Sequence, residues 1–244
     1  MGTVRGGLPG AILDGPVCTR VARGALCVSF LPPGCRLCTF DCTYCPFEHG
    51  KRREGWPSPG AIGTALAHAL RRSEPVDAIA ITGPGEQTLH PRFGLAVANV
   101  LAARQLRPEL PVRVTTNGTT VRRPQVRRIL DLVDERIVRL DAGAERISRP
   151  FPGAHLGTLI ASLASLRDFS VESVFVEGPG ANTDGASVAG WLELVAELQP
   201  RRAYVTTIER APAEPGPRPA SLERLEEIAA RVRHEAGVLA DAVP

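Results

Sequence analysis

Most of the chain alternates between short runs of β-branched and apolar residues and longer segments in which apolar positions recur every three or four residues. The short runs read as strands over residues 25–31 (ALCVSFL), 77–82 (DAIAIT), 112–116 (VRVTT), 136–141 (RIVRLD), 171–177 (VESVFVE) and 203–208 (AYVTTI). Each is followed by a segment with helical spacing. In the first of these, Ser58 can cap, Pro59 suits the first helical position, and Ala61, Ile62, Ala65, Leu66, Ala69 and Leu70 form one stripe. The later helices are expected over residues 92–105, 124–134, 155–167, 185–198 and 220–236. Strands separated by helices run parallel with right-handed crossovers, giving an open doubly wound sheet or a barrel. Six units suit a partial (β/α)6 barrel of the TIM type, a single α/β domain over residues 25–244 on which residues 1–24 pack as an N-terminal extension. In either architecture the chemistry belongs on the loops after the carboxyl ends of the strands.

Composition narrows the chemistry. With 244 residues, 43% of them hydrophobic, the chain can bury a large core without help from a disulfide or a metal. Net charge is only +3 and Lys51 is the sole lysine. The clusters Lys51-Arg52-Arg53, Arg122-Arg123, Arg127-Arg128 and Arg201-Arg202 can contact phosphates, but a charge run is usually a solvated face, so nucleic-acid binding is not indicated. The N-terminus lacks the apolar run of a signal peptide, and no stretch approaches the ~18 apolar residues of a membrane span. A cytoplasmic protein with no membrane partner is expected. In that reducing compartment closely spaced cysteines point to metal binding, and all six cysteines lie between Cys18 and Cys45.

Four of the six fall within eleven residues of the loop after the first strand: Cys35, Cys38, Cys42 and Cys45, the last followed by Pro46. Thiolates are soft ligands for Zn²⁺ or iron–sulfur clusters. Read as two C-x2-C pairs, the loop would close a structural zinc site, although the linker of three residues is short for one. Read as four ligands, it has the intervals of a ferredoxin run in the wrong order. Read as C-x3-C-x2-C, with Cys38, Cys42 and Cys45 as metal ligands and Tyr44 just before the last, it resembles the signature of the radical S-adenosylmethionine (SAM) superfamily.

The resemblance continues at later strand ends. Gly83-Pro84-Gly85-Glu86 is similar to that superfamily's Gly-Gly-Glu segment, Thr116-Asn117-Gly118 to its Thr-Asn-Gly, and Asp141 closes the fourth strand. Gly178, in Val176–Asn182, belongs to a segment resembling Gly-x-Asn. The resemblance implies a [4Fe-4S] cluster held by three cysteines and SAM bound on the fourth iron. Tyr44, Gly83, Pro84, Gly85, Glu86, Thr116, Asn117, Asp141 and Gly178 are the implied cofactor-binding residues. It further implies reductive cleavage of SAM to a 5′-deoxyadenosyl radical that abstracts hydrogen from a substrate, with a reductant such as flavodoxin or ferredoxin. Glycine permits close backbone approach, and a carboxylate suits the ammonium of SAM.

Gly15–Arg20, Ala25–Val28, Ser148–Pro150 and Arg210–Glu214 look like a group of small iron–sulfur oxidoreductases distantly similar to the wybutosine tRNA-modification enzymes. Cys18 and Cys27 stand where that group has Ser and Gly. Two other functions fit the same loop: an activase for a glycyl-radical enzyme, and a non-enzymatic zinc or electron-transfer protein. Cys18, Cys27 and Cys35 read as buried thiols rather than a second cluster. His49 and His90 flank the site. The substrate is not legible, but a short barrel with a wide lateral opening can admit a macromolecule.

Overall fold

The computed structural model describes residues 11–14, 17–22, 24–32, 36–47, 55–143, 148–150, 156–213 and 215–244. The described chain opens with β1 (Ala11–Asp14), β2 (Val17–Ala22), β3 (Ala25–Val28), β4 (Phe40–Cys42) and helix α1 (Pro59–Arg72). Next come β5 (Ala78–Ile81), α2 (Phe93–Arg104), β6 (Val112–Thr116), α3 (Pro124–Leu130), β7 (Glu135–Arg139) and β8 (Ser148–Pro150). The last part holds α4 (Leu156–Leu163), β9 (Ser170–Val174), β10 (Val176–Glu177), α5 (Gly185–Leu198), β11 (Arg202–Thr206), β12 (Arg218–Pro219), α6 (Leu222–Arg231) and β13 (Ala240–Val243).

Nine strands form the main sheet in the order β1-β2-β3-β5-β6-β7-β9-β11-β13. From β3 to β13 all seven are parallel, and the sheet curls into a half-barrel. The partial barrel expected from the alternation is therefore the observed fold, with more strands than the six read from sequence. β13 is a seventh parallel strand, and the antiparallel β1–β2 hairpin continues the sheet beyond β3. β13 escapes the pattern because its four residues contain no β-branched run. Its place comes from pairing with β11, Ala203 opposite Ala240.

Helices sit where the apolar spacing put them. The Ser58 hydroxyl accepts from the Ala61 amide and Pro59 occupies the first turn of α1. α3 stops at Leu130, four residues before the expected end. The Asp134 amide donates to the Val112 carbonyl at 3.0 Å while its carboxylate accepts from the Val112 amide at 2.8 Å, so these residues already serve the sheet. No described helix is long and apolar enough to cross a membrane.

Strand alternation gives the sheet two different faces. Ile79, Ile81, Val112, Val114, Val138, Val171 and Val205 point outward and are buried against Ile62, Leu66, Val97, Val100, Trp191, Val195 and Ile228 of the helices in one continuous core. The inward positions Ala80, Arg113, Thr115, Ile137, Arg139, Glu172 and Tyr204 are half-buried and line open space. The concave face thus carries charged and hydroxyl groups among apolar ones. That suits a barrel whose interior holds ligands rather than packed side chains.

Two short pairings gather the loops at the carboxyl end. β4 pairs with β8, setting Cys42 opposite Ser148. β10 pairs with β12, setting Glu177 opposite Arg218.

Candidate functional site

The loop after β3 crosses the carboxyl end of the barrel and is held there by four strand-end segments. The Glu86 amide, after β5, donates to the Leu37 carbonyl at 2.7 Å. Asn117, after β6, donates through Nδ2 to Thr39 Oγ1 at 2.8 Å. Tyr44 donates its hydroxyl to Asp141 Oδ2, after β7, at 2.5 Å. The Ala213 amide, after β11, donates to the Cys45 carbonyl at 2.9 Å. Inside the loop Arg36, 5% exposed, donates to the carbonyls of Phe40 and Phe47, each at 2.9 Å. One buried guanidinium therefore spans the segment that carries all three signature cysteines.

Cys38, Cys42 and Cys45 are half-buried and line a single cavity of about 280 Å³. Tyr44, Gly83, Pro84, Gly85, Glu86, Thr116, Asn117 and Asp141 line the same cavity. Among the described residues, no three His, Cys, Asp or Glu side chains converge on a point that would hold one metal ion. A cubane asks for a different arrangement, one thiolate at each of three corners. Three soft donors line this cavity together with backbone and hydroxyl groups, a donor set suited in kind to such a cluster with a polar ligand beside it. Gly178 stands apart: it lines neither cavity described here, and its nearest neighbours are the Gly216 carbonyl and Arg218. Cys18 falls in β2. Cys35, His49 and the basic stretch 51–53 lie outside the described residues.

The polar residues of the cavity are heavily committed. Glu86 is 2% exposed. Its Oε1 accepts from the Thr88 amide at 3.2 Å, the Thr88 hydroxyl at 2.5 Å and the Thr116 hydroxyl at 2.7 Å, and its Oε2 from the Asn117 amide at 2.6 Å. Burial pushes its carboxyl up and these donors pull against the shift; four donors suit the ionised form. Asp141 Oδ1 accepts from the Val174 amide at 2.8 Å, so this carboxylate joins β7, β9 and the cysteine loop. Burial, then the Asp141 charge, lifts Tyr44 well above the ordinary phenol range, and it stays protonated. Burial likewise raises the Cys38 thiol, against the Phe40 amide, the Arg36 charge and the Asn117 amide, with Glu86 adding to the rise.

A second cavity of about 380 Å³ follows the concave face. It shares Cys27, Tyr44, Pro46, Phe47, Thr82, Thr115 and Arg139 with the first and continues to Arg113, Glu172, Tyr204, Glu209 and Arg210. Arg139 pairs with Glu172 at 3.0 Å and Arg113 with Glu135 at 2.9 Å. Burial alone would lower the Arg139 pKa; Glu172, Tyr44 and Asp141 outweigh it and hold the charge. His90 does not face either cavity lining. It is a buried structural ring.

Sequence reading passed over Arg36, Thr39 and Arg139. Arg139 carried a signal, since it shares strand parity with Asp141 and so faces inward. Arg36 and Thr39 act through contacts that only the folded loop creates.

A family model described as the radical SAM superfamily matches residues 33–184. The chain is similar to a UPF0026 protein of Methanocaldococcus jannaschii, 26% identical over 235 residues that span 90% of this chain and 70% of that protein. A UPF0026 protein of Synechocystis sp. is 25% identical over 197 residues, spanning 76% of this chain and 70% of the relative. Among solved structures, Streptococcus suis SuiB bound to S-adenosylmethionine matches with a TM-score of 0.61 at 13% identity, covering 86% of this chain and 49% of SuiB. TYW1 with a lysine–pyruvate adduct bound matches with a TM-score of 0.60 at 12% identity, covering 92% of this chain and 85% of TYW1. At such identities the likeness to solved structures is one of fold.

Proposed function

The chain belongs to the radical SAM superfamily, and we propose that it binds a [4Fe-4S] cluster through Cys38, Cys42 and Cys45, with SAM beside it, and abstracts hydrogen from a substrate held on the concave face. The observation that carries this reading is the meeting of three thiols and three strand-end segments around one cavity of about 280 Å³. When bound there, the reduced cluster and SAM supply a one-electron cleavage that yields methionine and a 5′-deoxyadenosyl radical. The chain's own groups supply position and shelter.

Within this proposal the backbone of Gly83–Glu86, which lines the cavity, lies against SAM. Thr116 and Asp141 offer an acceptor or a hydroxyl to the ribose side, and Tyr44 presents an aromatic wall whose hydroxyl is tied to Asp141. Gly178, which lines neither cavity, is left out of that site. The second cavity is the substrate chamber, contiguous with the first through Thr82, Thr115 and Arg139. Its lining mixes ion pairs, hydroxyls and apolar surface, which suits a polar substrate. Residues 25–244 act as the catalytic core with residues 1–24 as an extension, in the cytoplasm, fed by a flavodoxin- or ferredoxin-type donor.

Anaerobic reconstitution should give about four irons per chain and, with dithionite and SAM, 5′-deoxyadenosine. A triple Cys38/Cys42/Cys45→Ala variant that kept the iron and the product would refute the proposal. Bound zinc, or a cluster whose electron paramagnetic resonance (EPR) spectrum ignores SAM, would favour a non-enzymatic protein instead.

A further inference from the structure

Cys38 Sγ faces two N–H donors, the Phe40 amide at 3.5 Å and Asn117 Nδ2 at 3.5 Å. Arg36, two residues away along the loop, is 5% exposed, fixed by the carbonyls of Phe40 and Phe47 and paired at 3.6 Å with Asp41.

The orientation of the Asn117 amide is determined by its partners. The Thr119 backbone amide can only donate, and it points at Asn117 Oδ1 at 3.1 Å. The oxygen therefore faces Thr119, and the NH2 group faces Thr39 and Cys38. The hydroxyls close a ring consistent with this: Nδ2 donates to Thr39 Oγ1 at 2.8 Å, Thr39 and Thr119 share a hydroxyl contact at 2.7 Å, and Thr119 Oγ1 donates to Oδ1 at 2.8 Å. A flipped amide would set an oxygen against sulfur and a donor against a donor. Both hydrogens of Asn117 are thereby committed to the cysteine loop, and its backbone amide is held by Glu86 at 2.6 Å.

Resting on the proposed role of Cys38 as a cluster ligand, we infer that Asn117 and Arg36 are positioning residues that raise the reduction potential of the cluster through the Cys38 sulfur. Hydrogen bonds to a ligand sulfur and a nearby fixed positive charge both stabilise the additional electron density of the reduced state. The low exposure of Arg36 limits solvent screening of its charge, while its partner Asp41, 34% exposed, is the better screened of the pair. Asn117 thus acts on the cluster before it acts on SAM.

The test is an EPR-monitored redox titration of the reconstituted protein without SAM. At the parental midpoint, Asn117→Ala should lower the ratio of reduced to oxidised cluster several-fold. Asn117→Asp, which keeps the acceptor to Thr119 and turns an oxygen toward Cys38, should lower it about tenfold or more, tenfold being 59 mV for a one-electron couple. Arg36→Gln should also lower the ratio, and Arg36→Lys should restore at least half of that change. Iron content separates the two levels of claim: variants that retain about four irons per chain with the parental midpoint overturn the inference while leaving the cluster assignment intact. Should Arg36→Gln fail to hold iron, the Asn117 pair decides alone.

Discussion

Gly85 is where a single atom decides whether the cysteine loop can dock. Its φ is +130°, and a Cβ built there would stand 2.0 Å from the Leu37 carbonyl oxygen, the same oxygen that accepts from the Glu86 amide. No rotamer change relieves a clash with backbone, so Gly85→Ala must push the segment carrying Cys38 off the barrel. The expected result is an intact fold by circular dichroism, with iron retained after desalting falling from about four per chain to below about one. Gly178 makes the contrast. It too has a positive φ, +84°, but a Cβ there would meet the Gly216 carbonyl at 3.1 Å, away from both cavities. Gly178→Ala should therefore cost stability and leave iron binding alone. The family resemblance singled out Cys38, Cys42, Cys45 and Glu86, and the fold brings them to one cavity. Residue types and spacing were not enough to assign the Asn117 amide, because its partners Thr39 and Cys38 lie 78 and 79 positions away and meet it only after the barrel closes.

At the scale of elements, α5 anchors the floor of the site from behind. Trp191, 2% exposed, donates Nε1 to the Leu140 carbonyl at 2.9 Å and stands edge-on to Phe175 at 5.2 Å. Leu140 directly precedes Asp141, so this contact helps fix the end of β7. Trp191→Ala should cost about 3–5 kcal/mol in urea unfolding; Trp191→Phe should cost less, since the ring stays and only the N–H is lost. The corner before α2 is held differently. His90 donates Nε2–H to the Pro57 carbonyl at 2.9 Å and accepts the Arg92 amide on Nδ1 at 3.1 Å, so both nitrogens of a neutral ring are used. Burial lowers its pKa from the ordinary 6.5. The unfolded chain therefore takes up the proton first, and the stability due to this neutral ring is present above about pH 6.5 and lost as pH falls through the folded value. In His90→Gln the fall in urea midpoint between about pH 7.5 and 5 should be smaller than in the parent. Helices and strands with strong periodicity were legible, and their ends were less so. α3 ends early because Asp134 is claimed by β6, and β13 is set by an edge of β11, both tertiary demands that override a local pattern.

For the whole molecule, the same loop is the meeting point of the fold and the site. Residues 36–47 are tied to the segments after β5, β6, β7 and β11 and to β8, so order in the loop is order in the barrel mouth. The core of the helical shell runs through Leu66, Val97, Trp191, Val195 and Ile228, and the loop touches it through Phe40, Cys38 and Cys42. Ligand binding to the folded state adds stability by mass action, about 2.7 kcal/mol at a concentration one hundred times Kd. Local openings take up that energy only where the ligand's contacts lie. Reconstitution followed by SAM should therefore slow hydrogen exchange about tenfold or more at the amides of Glu86, Asn117, Val174 and Ala213, each of which closes a tie to the loop or to its partners. The amides of Leu66, Val97 and Val195 should keep their apo rates where they exchange through local fluctuations, and slow only where they exchange through global unfolding. Protection spread evenly over mouth and shell would mean that the cofactors stabilise the barrel globally, and the division between a self-sufficient shell and a ligand-ordered mouth would have to be abandoned. Protection confined to the mouth would explain why a chain large enough to bury a core without a metal still gathers its hydrogen-bonded carboxylates, Glu86 and Asp141, around the cavity that three cysteines line.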